Sequence, residues 1–198
     1  MNLTYGHDRQ LRKGVNIDYQ DENGNTALMW ASKEGFEELA VFLSTYEDMD
    51  GRRASLNVQN KNGITALIFA SFSGHDTIAK NLVHQGANVD VRDSTNATAL
   101  IWAAEKGRKE IALMLIERGA NLDFADENNG HTALHWSSIY GDSDIAQALI
   151  DKGASLNLRS VTGKTPLVYA MRHAHIDIAQ ALQAAVSMSF NDGAGREL

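Results

Sequence analysis

The stretch TALIWAAEKGRKEIALMLIERGANLD, residues 98–123, holds two short helices and the turn between them. Thr98 is placed to cap the first helix with its hydroxyl, and Ala99 to Lys106 continue it as good helix formers. Gly107 supplies the left-handed residue that ends it. Glu110 to Arg118 predict a second helix with Ile111, Ala112, Leu115 and Ile116 on one face, and Gly119 closes it. Neither helix can bury its apolar face alone, so the unit needs neighbours.

The neighbours are copies of itself. The expected capping residues are Thr26, Thr65, Thr98, Thr132 and Thr165, with steps of 39, 33, 34 and 33. A leucine follows two residues on, at Leu28, Leu67, Leu100, Leu134 and Leu167. The turn glycine is Gly35, Gly74, Gly107 and Gly141, with Ala174 in the last copy. A period near 33 with a helix-turn-helix in each unit predicts an all-α solenoid. Ala40, Ala79, Ala112, Ala146 and Ala179 let second helices approach closely, while Ile78, Ile111, Ile145 and Ile178 fill the space between. Each such buried aliphatic side chain contributes about 2 kcal/mol.

On these residues the chain resembles the ankyrin repeat family. The motif carrying the resemblance is visible in GITALIFASFSGH (63–75) and GKTPLVYA (163–170), and the likeness covers about residues 11–186. It implies one domain, 1–186: a partial repeat over 1–20, then repeats from 21, 60, 93, 126 and 160, joined by β-hairpin-like loops. Residues 187–198 lack the period and are expected to form a flexible tail. The first full repeat carries six extra residues within 44–55, charged and with a glycine, which read as a solvated loop. In the third repeat Asn96 replaces the turn glycine and is expected to tolerate positive φ. Pro166 stands at the first helical position, where its missing N–H costs nothing.

Composition narrows the function. The absence of cysteine excludes disulfides and thiolate chemistry. A net charge of −7 without a basic stripe argues against nucleic acid. There is no secretion signal and no run of 18 apolar residues, so no membrane span and an intracellular, cytoplasmic location are expected. No cofactor motif is present. His131 and His135 are four apart, but Thr132 caps the helix, so His131 is expected in the loop before it. His173, His175 and Asp177 form a second histidine cluster, and His75 and His175 match the family's G-H position. A histidine-based metal enzyme is therefore the remote reading.

An aromatic stands four residues after each capping threonine: Trp30, Phe69, Trp102, Trp136 and Tyr169. Packing between first helices and an aromatic floor for a ligand are both open readings of this column. The resemblance implies that first helices line a concave groove. It places Lys33, Glu34, Phe72, Ser73, Glu105, Lys106, Ile139, Tyr140, Arg172 and His173 toward it. Hairpin-tip residues Glu22, Asn23, Lys61, Ile64, Glu127, Asn128, Val161 and Lys164 would form the second wall. The expected partner-binding residues are Phe72, Trp102, Glu105, Lys106, Trp136, Ile139, Tyr140, Arg172 and His173. The reading is a non-catalytic, monomeric interaction module for a protein or peptide. The alternative is a regulatory inhibitor or immunity-type protein that blocks an enzyme with the same surface.

Overall fold

The structure, a computed structural model, describes residues 16–47 and 53–194, with side chains as far as Ser187. The expected partial-repeat residues 1–15 and the loop residues 48–52 lie outside the described part. The described residues form ten helices and no strand. They fall into two compact units, one ending at Asn88 and one beginning at Val89.

The first unit holds two helix pairs. These are α1 (Ala27–Glu34) with α2 (Glu37–Thr45), and α3 (Ala66–Ser73) with α4 (Asp76–His84). First helix packs on first helix and second on second, α1 against α3 and α2 against α4. The second unit repeats the arrangement with three pairs. They are α5 (Ala99–Glu105) and α6 (Lys109–Glu117), α7 (Ala133–Tyr140) and α8 (Ser143–Asp151), and α9 (Pro166–Arg172) and α10 (Ile176–Ala194). There α5 packs on α7 and α7 on α9, while α6 packs on α8 and α8 on α10. The leucine and isoleucine columns form the core: Leu28, Leu67, Ile78, Leu100, Leu134, Ile145 and Ile178 are all buried.

The first helices start as the threonines predict. The hydroxyls of Thr26, Thr65, Thr98 and Thr132 accept the N–H of Met29, Ile68, Ile101 and His135. Thr165 departs from the prediction, because its side chain makes no cap hydrogen bond. Pro166 takes the first helical position there, and Thr165 is half-buried where the other four cap threonines are buried. A second departure is α10, which runs on to Ala194, within the stretch 187–198 expected to be a flexible tail. Residues 187–194 continue the helix without the repeat's spacing. Asn96 has the expected positive φ, +60°, and Ala174, which stands at the turn glycine's position, also has φ of +60°.

Two side-chain ladders join successive repeats within each unit. Asp18 Oδ1 accepts the N–H of Ser55 (2.9 Å) and Asn57 Oδ1 that of Asn88 (2.8 Å). In the second unit Asp90 takes the N–H of Asn121 (2.8 Å) and Asp123 that of Ser155 (2.8 Å). The G-H histidines make the other ladder. His75 Nε2–H donates to the Lys33 carbonyl and His175 Nε2–H to the Ile139 carbonyl, each at 3.1 Å. These are carbonyls at the C-terminal ends of α1 and α7, where no intrahelical donor remains.

The glycines facing those imidazoles are constrained twice over. A Cβ on Gly35 would lie 2.4 Å from His75 Cε1, and one on Gly141 would lie 2.5 Å from His175 Cε1. In the fourth repeat the histidine position is Asp142, which faces Gly107. Its Oδ2 is buried without a protein hydrogen-bond partner, and burial pushes its carboxyl above the usual range. A carboxylate cannot donate to a helix-end carbonyl as the imidazoles do.

The inserted stretch begins and ends in a defined way. Glu47 and Arg53 form an antiparallel bridge, and their side chains pair at 3.1 Å. Both are exposed, so the pair contributes about 0–1 kcal/mol.

Two expectations test these joints. Gly141 and Gly153 have nearly equal φ, +82° and +83°, but nothing lies within 4 Å of a Cβ on Gly153. Backbone strain therefore cancels between Gly141→Ala and Gly153→Ala. The former should cost ~1–2 kcal/mol more on denaturant titration, the worth of the displaced imidazole bond. Equal losses would mean that the histidine clamp carries no energy. Asp142→His should raise stability at neutral pH by ~1 kcal/mol by supplying the missing donor. A destabilised variant would show that the carboxyl is placed for another purpose.

Candidate functional site

The aromatic column is tied to the first residue of its own repeat. Trp30 Nε1–H donates to Asp21 Oδ2 at 2.9 Å, Trp102 to Asp93 at 2.8 Å and Trp136 to Asp126 at 3.2 Å. The other carboxylate oxygen holds the loop. Asp21 Oδ1 accepts the N–H groups of Asn23 and Asn25, and Asp93 Oδ1 those of Thr95 and Ala97. The Trp30 indole, then the turn amides, hold the Asp21 carboxyl below its usual range. Where the ring is Tyr169 the partner is Ser160, hydroxyl to hydroxyl at 3.1 Å. Where the ring is Phe69, which has nothing to donate, the residue is Asn60, whose amide instead donates to Asn25 Oδ1 at 2.8 Å. The rings are half buried except Trp30, which is more exposed. Sequence reading saw the column but not its partner. The signal was present: the residue type nine or ten positions earlier changes together with the ring.

Of the expected binding residues, Phe72 lies in the first unit on α3 and is 44% exposed. The others lie in the second unit, on or just past α5, α7 and α9. Just past α5, Lys106 Nζ sits 5.5 Å from the Trp102 ring centre and pairs with Glu105 at 2.9 Å. On α7 the Tyr140 ring stacks on Trp136, 5.8 Å between centroids and 10° between planes. Tyr140 is 55% exposed, and Ile139 beside it is half buried. Arg172 and His173 are exposed at the end of α9, and the His173 ring stacks on that of His175 at 6.2 Å. The structure thus brings Trp136 and Tyr140 together as a stacked pair, and Trp102, Glu105 and Lys106 as a charged aromatic group.

The histidines are engaged in structure. His131 lies before the α7 cap as expected and is buried, its Nε2 3.0 Å from the Tyr169 hydroxyl. His135 is fully buried. The Thr132 hydroxyl and N–H meet its Nδ1 at 2.9 and 3.2 Å, and its Nε2 reaches the Lys164 carbonyl at 3.3 Å. Nδ1 accepts and Nε2 donates, which fixes a neutral tautomer. Desolvation lowers the His135 pKa to about 4. The same cause lowers that of His131. Among the described residues no group of three His, Asp or Glu side chains is arranged to hold a metal.

Geometry therefore defines a protein of stacked helix-turn-helix repeats with an ordered aromatic column on its first helices. The ankyrin-repeat family model matches residues 8–93, 52–126 and 122–192. The chain belongs to the ankyrin repeat family. No curated protein matches it closely enough to add a relative. Ankyrin repeats generally serve as protein–protein interaction modules, and the family is typically non-catalytic. No helix among the described residues is long and apolar enough to cross a membrane.

Burial of neutral His135 makes stability depend on pH. Its folded pKa lies below the unfolded value of 6.5, so protonation favours the unfolded chain. Its contribution is complete above pH 6.5 and is lost as the pH falls toward about 4. The loss is ~3 kcal/mol, and replacing His135 by Gln should flatten that part of the stability–pH curve. The check is urea unfolding at a series of pH values. Parallel curves for parent and variant would assign the acid sensitivity to other groups.

Proposed function

We propose that the chain binds a protein or peptide partner on the first-helix face of its second unit. The observation that carries this is the Tyr140 ring, exposed by more than half yet stacked on Trp136, which Asp126 holds in place. An exposed aromatic held in one orientation loses little freedom on binding, which is what an interface anchor needs. Ile139 adds apolar area beside it. Trp102 with Lys106 and Glu105 on one side, and Arg172 with His173 on the other, offer polar contacts around that centre. Phe72 presents a comparable exposed ring in the first unit and is a further candidate contact. The engagement of His131, His135 and His175 in structural hydrogen bonds favours binding over catalysis.

The test begins with affinity isolation from the native host and proceeds to calorimetric titration of the partner so obtained. Tyr140→Ala should weaken binding by ~2–4 kcal/mol, the scale of hot-spot truncations, with little change in melting temperature. Glu47→Ala, outside this face, should bind as the parent does. A Tyr140→Ala variant with parental affinity removes this face from the reading. One that unfolds shows the ring to be core.

A further inference from the structure

We propose that Asp142 is a proton-operated latch between the third and fourth repeats: its protonated carboxyl donates across the joint and holds it, and its ionised form lets the joint loosen.

The other repeats define what this position does. At the residue before the second helix, His75, Arg108 and His175 carry N–H donors, whereas Asp142 carries a carboxyl. His75 donates to the Lys33 carbonyl and His175 to the Ile139 carbonyl, each two residues before the turn glycine of the preceding repeat. By the same register the acceptor opposite residue 142 is the carbonyl of Glu105, two residues before Gly107. The carboxyl stands over that turn. A Cβ on Gly107 would lie 3.7 Å from its Oδ2 and 3.9 Å from its Oδ1. Oδ2 is buried and has no hydrogen-bond partner among the described residues. An ionised carboxylate only accepts, so it sets one acceptor against another at this joint. A protonated carboxyl has one O–H donor, the kind of group that the imidazoles supply in their own repeats.

The neighbouring charges are engaged elsewhere. On the third repeat, Glu105 pairs with Lys106. Lys109 lines one cleft with Asp142, Ser143 and Asp144, but its ammonium pairs with Asp144. Arg108 stands at the start of α6 and Glu110 is exposed on it. On the fifth repeat, His175 is held by the Ile139 carbonyl, and Asp177 accepts the Ser143 hydroxyl. Among the described residues no cation pairs with Asp142. Desolvation raises its carboxyl above the usual range, the charge of His175 works against this, and that of Asp144 adds to it.

The sign of the effect follows. A proton held more tightly in the folded chain than in the unfolded one stabilises the fold in acid. The contribution is complete below the unfolded carboxyl's range and is lost as the pH rises through the folded one. His135 has the opposite sign, because its contribution is lost as the pH falls. Acidification therefore tightens the joint at Asp142 while it weakens the core at His135. The latch joins the turns that follow α5 and α7, next to Glu105, Lys106 and Tyr140. It acts without a partner, so the chain alone reports it.

The experiment is a carboxyl-carbon NMR titration of the full chain, with resonances assigned through the backbone. Asp142 should take up its proton above the usual carboxylate range, and Asp144→Asn should lower that midpoint by removing a like charge. Asp142→Asn supplies an amide N–H donor at every pH. In urea unfolding its folded-to-unfolded ratio should exceed the parent's ~5- to 10-fold at neutral pH, and the two should converge in acid. The local reading is hydrogen exchange at the Gly107 and Arg108 amides, which close the turn onto the Ala104 and Ala103 carbonyls at 3.3 and 2.8 Å. At neutral pH these amides should exchange faster in the parent than in Asp142→Asn, and in acid at the same rate. An Asp142 carboxyl that titrates in the usual range overturns the proposal. So does a raised midpoint with equal exchange in the two chains at neutral pH, because the carboxyl then titrates without holding the joint. If Asp142→Asn does not fold, the parent decides alone: its exchange at these amides, corrected for the intrinsic pH dependence, must slow as the pH falls through the Asp142 midpoint.

Discussion

One hydrogen-bonded side chain at the start of each repeat sets the geometry that follows. Asp21 fastens its own turn with one carboxylate oxygen and a tryptophan indole with the other. Asp93 does the same. The turn fixes where the capping threonine stands, and the indole fixes where the first helix lies relative to the turn. Each net hydrogen bond contributes only about 1 kcal/mol. Their value lies in coupling loop to helix, so that the two cannot shift independently. The other pairings, Asn60 with Phe69 and Ser160 with Tyr169, keep the position polar while changing what it holds.

Most of the fold was legible because it is repeated. A single helix of eight or nine residues carries little information, but five copies in register reveal which positions are caps, which are turns and which are core. The exceptions fall where a local signal was overridden or had no counterpart. Thr165 reads as a cap, yet its half-buried side chain makes no cap hydrogen bond. Residues 187–198 lack the repeat's period, so the continuation of α10 to Ala194 left no trace in the spacing. Asn96 and Ala174 adopt the left-handed conformation because the surrounding repeat demands it, against the preference of an alanine.

The candidate site was legible as a set of positions but not as chemistry. Trp102 and Trp136 were recognisable as a column, and Tyr140 as an aromatic out of place on a surface. Their division of labour was not. The indoles are committed to Asp93 and Asp126 and half buried, so they form a base, while Tyr140 stands on that base and meets solvent. The distinction depends on which polar atom each ring can reach, and periodicity carries no record of that. The histidines illustrate the same limit. Spacing alone leaves metal binding open for His131 and His135, whereas the neighbouring hydroxyls and carbonyls assign them to the scaffold.

In a repeat protein the copies serve as controls for one another. A side chain present in every copy is explained by what every copy must do, which is fold and stack. A side chain present in one copy needs a separate reason, and its exposure states what kind. Asp142 departs inward, replacing a donor with a carboxyl that burial disfavours as a charge, and so costs stability. Tyr140 and Phe72 depart outward on first helices, and Phe36, Phe42 and Tyr46 depart together along a single second helix. Tyr140, Phe72, Phe36 and Phe42 keep about half of their surface exposed, so folding alone realises only part of the free energy that their burial can release. The free energy that would favour such residues is released when another surface covers them. The outward departures lie on three helices, α2 and α3 in the first unit and α7 in the second.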